Sequence, residues 1–394
     1  MKLLVWNTYD LGPKGGPAGY LYNIKQHSGQ AGFNIDFLSD LELEFKYRKT
    51  NDRWTNLLVR VLMKIDPSQK KKFLDSYVVT KQEIACDISV LSEYDAIHFH
   101  TTYELFQARR LLRAYRGKII LQSHSPKPFL YEVMEDRFGI SAPHPYAVMR
   151  YLTQIDRFAF KRADTIVFPC RESMDSYVSR YRFILRFLKK TVFLPTPYET
   201  ANTAGIDIKK ELQLPEDSFL VLYAGRHNYV KGYDLIKKAA EEIFKLNVSP
   251  PIHFLIAGQE SPLIGLQNIS WHELGWRSDI GAIMKSSDCM VLLNRETYFD
   301  LILLEALAHS LPVILSKTGG NKYFAKYSSP GLLFCELNGH TLANMIIALS
   351  KRGKSELKEY GNRNREVIDE YFTWGEFFRT YKAIITGVTT EIPL

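Results

Sequence analysis

Short apolar runs rich in β-branched and aromatic residues recur along the chain, each followed by a stretch with helical spacing. "KLLVWN" comes first and ends in the loop "TYDLGPKGGPAG", after which a helix is expected from Tyr20. "AIHFH", "KIILQSH", "TIVFP" and "TVFLP" continue the pattern as buried strands. A second series runs "FLVLYAG", "IHFLIAG", "ISWHELG", "CMVLLN" and "LPVILS". Strands that alternate with helices and are apolar on both faces belong to parallel sheets covered on both sides. The expected fold class is therefore α/β, with each series supplying one doubly wound domain. Between them, "PTPYETANTAGIDIKKELQLPEDS" is rich in Pro, Thr and Asn and reads as a linker, which puts the boundary near Tyr198. "SELKEYGNRNREVIDEYF" and "TWGEFFRTYKAIIT" are helical in period and come last. No solenoid repeat and no low-complexity tract interrupts the order.

Length agrees with two domains, because 394 residues exceed what one core comfortably serves. The balance of 46% hydrophobic and 24% charged residues is that of a soluble globular protein. No apolar run reaches the roughly 18 residues of a spanning helix. The opening "MKLLVWNTYDLG" carries a strand-length apolar run, not that of a secretory leader. Cys86, Cys170, Cys289 and Cys335 are far apart without metal spacing, so buried or free thiols in a reducing compartment are expected.

Charge changes the picture more. A net charge of +8 and a pI near 9.0 point to anionic partners: nucleic acid, acidic lipid headgroups or phosphorylated small molecules. No nucleic-acid recognition motif occurs, and the cations cluster with apolar side chains instead. Two such clusters stand out, Phe45 to Phe73 and Tyr177 to Lys190. Either can be a helix lying on an anionic membrane surface, or a solvated basic face whose apolar side packs on its own domain.

Candidate chemistry sits at strand ends. In "GPKGGPAGY", Gly15 and Gly16 let backbone approach a ligand, and the next helix start offers free N–H groups. The spacing is not the dinucleotide fingerprint, and a plain flexible turn is an equal reading. "AGRHNYVKGYDLI" follows a strand directly, where ligands of open α/β sheets gather. Arg226 and Lys231 in that turn fit a diphosphate clamp, with Gly225 and Gly232 leaving room. In "ETYFDLILLEALAHSLPVILSKTGGNKYF", Glu305 falls among Leu303, Leu304, Ala306 and Leu307. A carboxylate there needs donors, which ribose hydroxyls supply. Thr318, Gly319 and Gly320 then offer donors to a phosphate or sugar.

The ordered set of "AIHFH", "LQSH", "FAFKRADTIVFPCRESM", "AGRHNYVKG", "FLIAGQE", "LGWRSDIGAIMKSSDCMVLL" and "LILLEALAHSLPVILSKTGG" resembles the retaining GT-B glycosyltransferases of family 4, over nearly the whole chain. The resemblance implies two Rossmann-like domains facing each other across a cleft. Residues 1–198 would bind the acceptor, joined by a final helix at 375–394 that packs back, and residues 199–374 would bind the nucleotide-sugar donor. It places Arg226 and Lys231 on the donor diphosphate and Glu305 on the ribose. Gly275, Trp276 and Arg277 would lie beside the base, and His124 near the transferred sugar. Gly15 and Gly16 would face the donor phosphates and acceptor. His98 and His100 fit a structural role better. The family's E-x(7)-E motif is displaced: counting back from Glu305 reaches Thr297, with Glu296 one residue earlier, so either side chain can take the sugar contact. Asp300 stands where the family usually has Gly.

What the resemblance implies is transfer, with retention, of a hexose-like sugar from a UDP- or GDP-linked donor to a glycan or lipid-linked hydroxyl, as in bacterial surface-polysaccharide synthesis. No D-x-D occurs, so neither a metal nor a further cofactor is expected, and cationic side chains would take the diphosphate charge. The expected location is cytoplasmic, peripheral on the inner face of the cell membrane. A non-catalytic partner of an active glycosyltransferase, and an epimerase or phosphorylase of the same fold, are the competing readings.

Overall fold

The computed structural model describes residues 1–12, 16–41, 46–49, 82–85, 88–138, 146–199 and 204–387. The chain divides into two compact units. The first comprises Met1–Phe168, Met174–Leu194 and Phe378–Leu394; the second comprises Pro169–Ser173 and Pro195–Phe377.

The first unit carries strands β1 (Lys2–Trp6), β2 (Asn34–Phe37), β3 (Lys46–Lys49), β4 (Gln82–Ala85), β5 (Ala96–Phe99), β6 (Lys118–Gln122), β7 (Thr165–Phe168) and β8 (Thr191–Phe193). Six of them form an all-parallel sheet in the order β2-β1-β5-β6-β7-β8, while β3 and β4 pair only with each other, antiparallel. Leu3 to Trp6 and Ile119 to Leu121 are shut off from solvent, as expected of strands covered on both faces. The edge strand β2, "NIDF", has no apolar run to announce it, because its side chains are only partly covered.

The helix after β1 starts at Pro17, three residues before the expected Tyr20. Proline suits a helix's first turn, where its missing N–H has no partner to lose. Gly16 precedes it at φ 79°, a backbone state open to glycine.

The segment Tyr177–Lys190 is not one helix. An α-helix ends at Arg180 and a 3₁₀-helix runs Arg182–Lys190, broken at buried Tyr181. Of the other basic segment, Lys46–Lys49 is the antiparallel strand β3, and Phe45 and residues 50–73 lie outside the described residues. Among the described residues no helix is long and apolar enough to cross a membrane. Cys170, Cys289 and Cys335 are free and buried, and Cys86 lies outside the described residues.

The second unit contains β9 (Phe219–Ala224), β10 (Ile252–Ala257), β11 (Trp271–Gly275), β12 (Cys289–Leu292), β13 (Val313–Ser316) and β14 (Leu332–Cys335). All are parallel, in the order β11-β10-β9-β12-β13-β14. By order of appearance this is 3-2-1-4-5-6, the doubly wound arrangement. Its topological switch falls between β9 and β12, so a crevice opens at their carboxyl ends. Each unit is a Rossmann-like α/β domain.

The helix Trp374–Thr386 is shared: as far as Phe377 it counts with the second unit, and from Phe378 with the first. Within the first unit, Tyr381 is fully buried and its hydroxyl bonds His98 Nδ1, while Lys118 Nζ at the start of β6 donates to the Ile384 carbonyl.

Candidate active site

At the switch of the second sheet, the loop after β9 carries Gly225, Arg226 and Lys231. Backbone bonds fix its course: Gly225 N donates to Ala257 O at 2.9 Å, His227 N to Gln259 O at 3.2 Å and Gly232 N to Tyr229 O at 3.1 Å. Gly232 sits at φ 69°, where a Cβ would lie 2.0 Å from Leu293 O. Only glycine lets this loop press against the end of β12. Gly232→Ala is expected to destabilise the protein by about 1–3 kcal/mol in denaturant melts.

Arg226 is exposed, and among the described residues no carboxylate pairs with its guanidinium. Lys231 is different. Its Nζ lies 2.8 Å from Asp300 Oδ1, and Asn294 Nδ2 donates to the other Asp300 oxygen. A second clamp ties the loop after β12 to the first turn of the helix Tyr233–Phe244, since Arg295 grips both oxygens of Asp234 at 2.6 and 2.8 Å. Lys231 is thus held in place by the acid that stands where the family usually has glycine.

The loop after β12 carries Glu296 and Thr297, and the loop after β13 carries Thr318, Gly319 and Gly320. These two loops interlock. A Cβ on Gly319 would meet Thr297 O at 2.1 Å, and one on Gly320 would meet Tyr298 O at 2.0 Å. The glycine pair therefore lets backbone pack on backbone, with Gly320 N donating to Thr297 O at 3.3 Å. Thr318 Oγ1 donates to Asn294 O at 2.6 Å, so its hydroxyl hydrogen is spent on the protein. Thr297 is buried, and its hydroxyl makes no hydrogen bond among the described residues. Glu296 is partly exposed beside it.

Glu305 rides on the helix Leu301–Ala308, whose Leu303, Leu304, Ala306, Leu307 and Ala308 are fully buried. No donor or cation among the described residues partners its carboxylate. Burial without compensation pushes its pKa up to about 7. The acid is held at a cost that a ligand with hydroxyl donors would repay.

Gly275 ends β11, and Trp276 and Arg277 lie on the loop after it. Gly275 adopts φ 64° and its carbonyl accepts from Gly258 N at 2.8 Å. Trp276 is 79% exposed beside a cavity of about 710 Å³. Arg277 is tied to two acids: Nε and Nη2 grip Asp279 at 2.8 Å each, and Nη1 meets Glu211 at 2.9 Å. Those bonds hold its pKa above the ordinary arginine value. Two guanidinium N–H groups and the backbone are left to meet a ligand.

The first unit holds the remaining candidates, Gly16 and His124; Gly15 lies outside the described residues. His124 follows β6. Its Nε2 lies 2.9 Å from His100 Nδ1, and Tyr20 packs on its ring at 4.7 Å. His98 packs on His100 with centroids 4.1 Å apart and rings tilted by 40°, and both are fully buried. Burial lowers all three, His124 to about 3, so the row is neutral at neutral pH.

One group here went unread in the sequence. Glu104 is buried and accepts from Thr8 Oγ1 at 2.9 Å, Thr8 N at 3.3 Å and Thr101 Oγ1 at 3.1 Å. It anchors the loop after β1, and burial raises its pKa to about 7. Its signal was "TTYE", a helix capping box. Thr101 does cap Glu104 N at 3.0 Å, and the carboxylate reaches both the Thr101 hydroxyl and the neighbouring strand end at Thr8.

Comparison with known proteins follows the same division. The Glycosyltransferase Family 4 model matches residues 14–187, and the model for Glycosyl transferases group 1 matches residues 206–367. The UDP-Gal:alpha-D-GlcNAc-diphosphoundecaprenol alpha-1,3-galactosyltransferase of Escherichia coli is 33% identical over 142 residues, 34% of this chain and 36% of that protein. The chain spans about a third of the length of the first curated relatives it matches. Among solved structures, sucrose-phosphate synthase from Thermosynechococcus elongatus aligns with a TM-score of 0.66 at 17% identity, over 98% of each chain. Anabaena HepE in complex with UDP-glucose aligns at 0.62 and 16% identity, covering 98% of this chain and 100% of that one. At such identities these structures speak for the fold alone. With one glycosyltransferase family model on each of its two α/β domains, the chain has the two-domain GT-B architecture.

Proposed function

We propose that this glycosyltransferase moves a hexose-like sugar, with retained anomeric configuration, from a nucleoside diphosphate sugar to a hydroxyl of a glycan or lipid-linked acceptor. The observation that carries the donor assignment is the unpartnered carboxylate of Glu305, in the same domain as the switch-point loops that bear Arg226 and Lys231. Ribose hydroxyls donate to Glu305, and the two cations take the diphosphate. The Thr318–Gly320 turn and either Glu296 or Thr297 meet the sugar. Gly275, Trp276 and the backbone of Arg277 border the base. The Escherichia coli relative is named for UDP-Gal, which favours a uridine diphosphate donor.

The first domain supplies the acceptor side, with Gly15, Gly16 and His124. A His124 that stays neutral positions sugar hydroxyls by hydrogen bonding and does not carry the catalytic proton. The anomeric carbon–phosphate oxygen bond breaks as the acceptor oxygen bonds to the same face. The acceptor's proton passes to the departing phosphate oxygen, whose charge Arg226 and Lys231 neutralise without a metal at that position. A donor screen with the purified chain tests the reading. Release of one nucleoside diphosphate that depends on acceptor, with an α-linked product from an α-linked donor by NMR, supports it. Donor turnover without acceptor, or an inverted product, sinks it.

The same reading places the chain on the inner face of the cell membrane. On the 3₁₀-helix, Leu185 and Leu188 are each 47% exposed, next to exposed Arg182, Arg186 and Lys189. Apolar side chains ringed by cations suit an anionic bilayer surface. The chain is expected to float with phosphatidylglycerol vesicles at low salt, and Leu185→Ser with Leu188→Ser to cut that binding about 10-fold or more, at roughly 25 cal/mol per Å² of apolar surface withdrawn. Wild-type protein that stays with the bottom fraction refutes the assignment.

A further inference from the structure

We propose that His227, Glu260 and Glu273 form a binding site for a divalent cation, with Zn²⁺ the best-fitting ion. The three residues come from the ends of three adjacent strands, β9, β10 and β11. One ligand atom from each lies within 4.8 Å of the others, and His227 Nε2 stands 3.9 Å from Glu273 Oε2. Zinc bonds imidazole nitrogen and carboxylate oxygen at about 2.0–2.2 Å, which sets ligands at most roughly 4 Å apart. The pair from His227 and Glu273 already meets that limit. Glu260 is exposed, with its ligand atom within 4.8 Å of the other two.

Two features separate this cluster from a chance meeting of acids. His227 is 0% exposed, yet neither ring nitrogen makes a hydrogen bond among the described residues. Buried polar groups are ordinarily satisfied, so this ring is short of a partner on the side facing the two acids. The carboxylates are also oriented from behind. Glu273 Oε1 accepts from Tyr233 Oη at 2.7 Å and from Trp271 Nε1 at 2.8 Å, which leaves Oε2 turned towards His227. Glu260 Oε1 accepts from Gly265 N at 3.1 Å. The imidazole itself is held flat on Tyr233, with ring centroids 4.2 Å apart and planes 6° from parallel. Supporting hydrogen bonds of this kind fix the direction and basicity of metal ligands.

An imidazole nitrogen with two carboxylates is a donor set that zinc accepts, with one position left open. Glu260 and Glu273 line the cavity that also holds Gly258, Gln259, Gly275 and Trp276, so the open position faces it. None of Arg226, Lys231 and Glu305 is a ligand here, so the existence of the site does not depend on which donor the enzyme uses.

Calorimetric titration of chelator-treated full-length protein with ZnCl₂, without nucleotide or sugar, tests the site. One equivalent bound at micromolar or tighter Kd is expected, with a matching stoichiometry by elemental analysis. His227→Leu, which suits the apolar surroundings and removes the nitrogen, should abolish that equivalent. Glu273→Gln keeps an acceptor for Tyr233 and Trp271, and Glu260→Gln alters an exposed residue; each should weaken binding about 10–100-fold. Cobalt should give the intense visible bands of a low-coordinate site in the wild type only. Binding of less than a tenth of an equivalent at 100 μM Zn²⁺ overturns the proposal, and so does binding that all three variants retain. Because no substrate is present, either failure leaves the donor assignment untouched.

Discussion

Replacing Lys231 by alanine slows sugar transfer about 10²–10³-fold, the usual loss when one preorganised donor to a developing oxyanion is removed. The measurement is nucleoside diphosphate released per unit time at saturating acceptor. A simple deletion confounds two effects, because Lys231 also neutralises Asp300 at 2.8 Å. Without the lysine, a half-buried carboxylate keeps only its bond from Asn294. The double variant Lys231→Ala with Asp300→Asn separates them: it should regain the lost melting temperature and remain as slow as the single variant. Asp300→Asn alone should lower the donor KM, since the lysine no longer divides its charge between an internal acid and the diphosphate. Near-normal turnover by Lys231→Ala removes the lysine from the donor site.

Glu305→Gln gives the second large effect, and it runs in opposite directions for binding and stability. In the folded protein the carboxyl pKa rises from 4.5 to about 7 because burial disfavours the charge. Below pH 4.5 the acid is protonated in both folded and unfolded chains, and burial costs nothing. Between pH 4.5 and about 7 the unfolded chain ionises first, so stability falls as pH rises, and above 7 the penalty is complete. Glu305→Gln should therefore melt with the wild type at pH 4 and above it at pH 8, without donor. Donor binding should suffer, because hydroxyl bonds to a charged acceptor contribute about 1.5–3 kcal/mol, a rise in KM of roughly 10–100-fold. Wild-type KM should also fall as pH rises through about 7, while the KM of the Gln variant stays flat. A variant less stable than wild type at pH 8, or one with unchanged KM, contradicts this account.

The sheets were legible in the sequence because a central parallel strand is apolar on both faces, as "FLVLYA" and "IHFLIA" are. The edge strand "NIDF" lacks that signature and passed unremarked; the apolar "LLFC" is only four residues long and was passed over as well. Loops that follow strands could be picked out, with Arg226, Lys231 and the Gly319–Gly320 pair in them. What occupies those side chains could not. Lys231 meets Asp300 across 69 residues and Glu104 meets Thr8 across 96, and no local spacing encodes such contacts. Arg277, placed beside the base only by the resemblance, is tied to Asp279 and Glu211, which its own spacing does not announce. His227, Glu260 and Glu273 look unremarkable one by one, and only the strand order β9-β10-β11 makes them neighbours.

The first domain is interrupted in sequence by nearly all of the second, and this bears on its biosynthesis. When Leu194 leaves the ribosome, every strand of the first sheet has been made, but Tyr381 has not, so nothing yet covers the His98 edge of that core. At about 5–20 residues per second the missing piece arrives roughly 10–40 s later. The nascent domain must wait through that interval with an open seam, a natural moment for a chaperone to engage it. Expression of residues 1–194 alone would make the seam permanent.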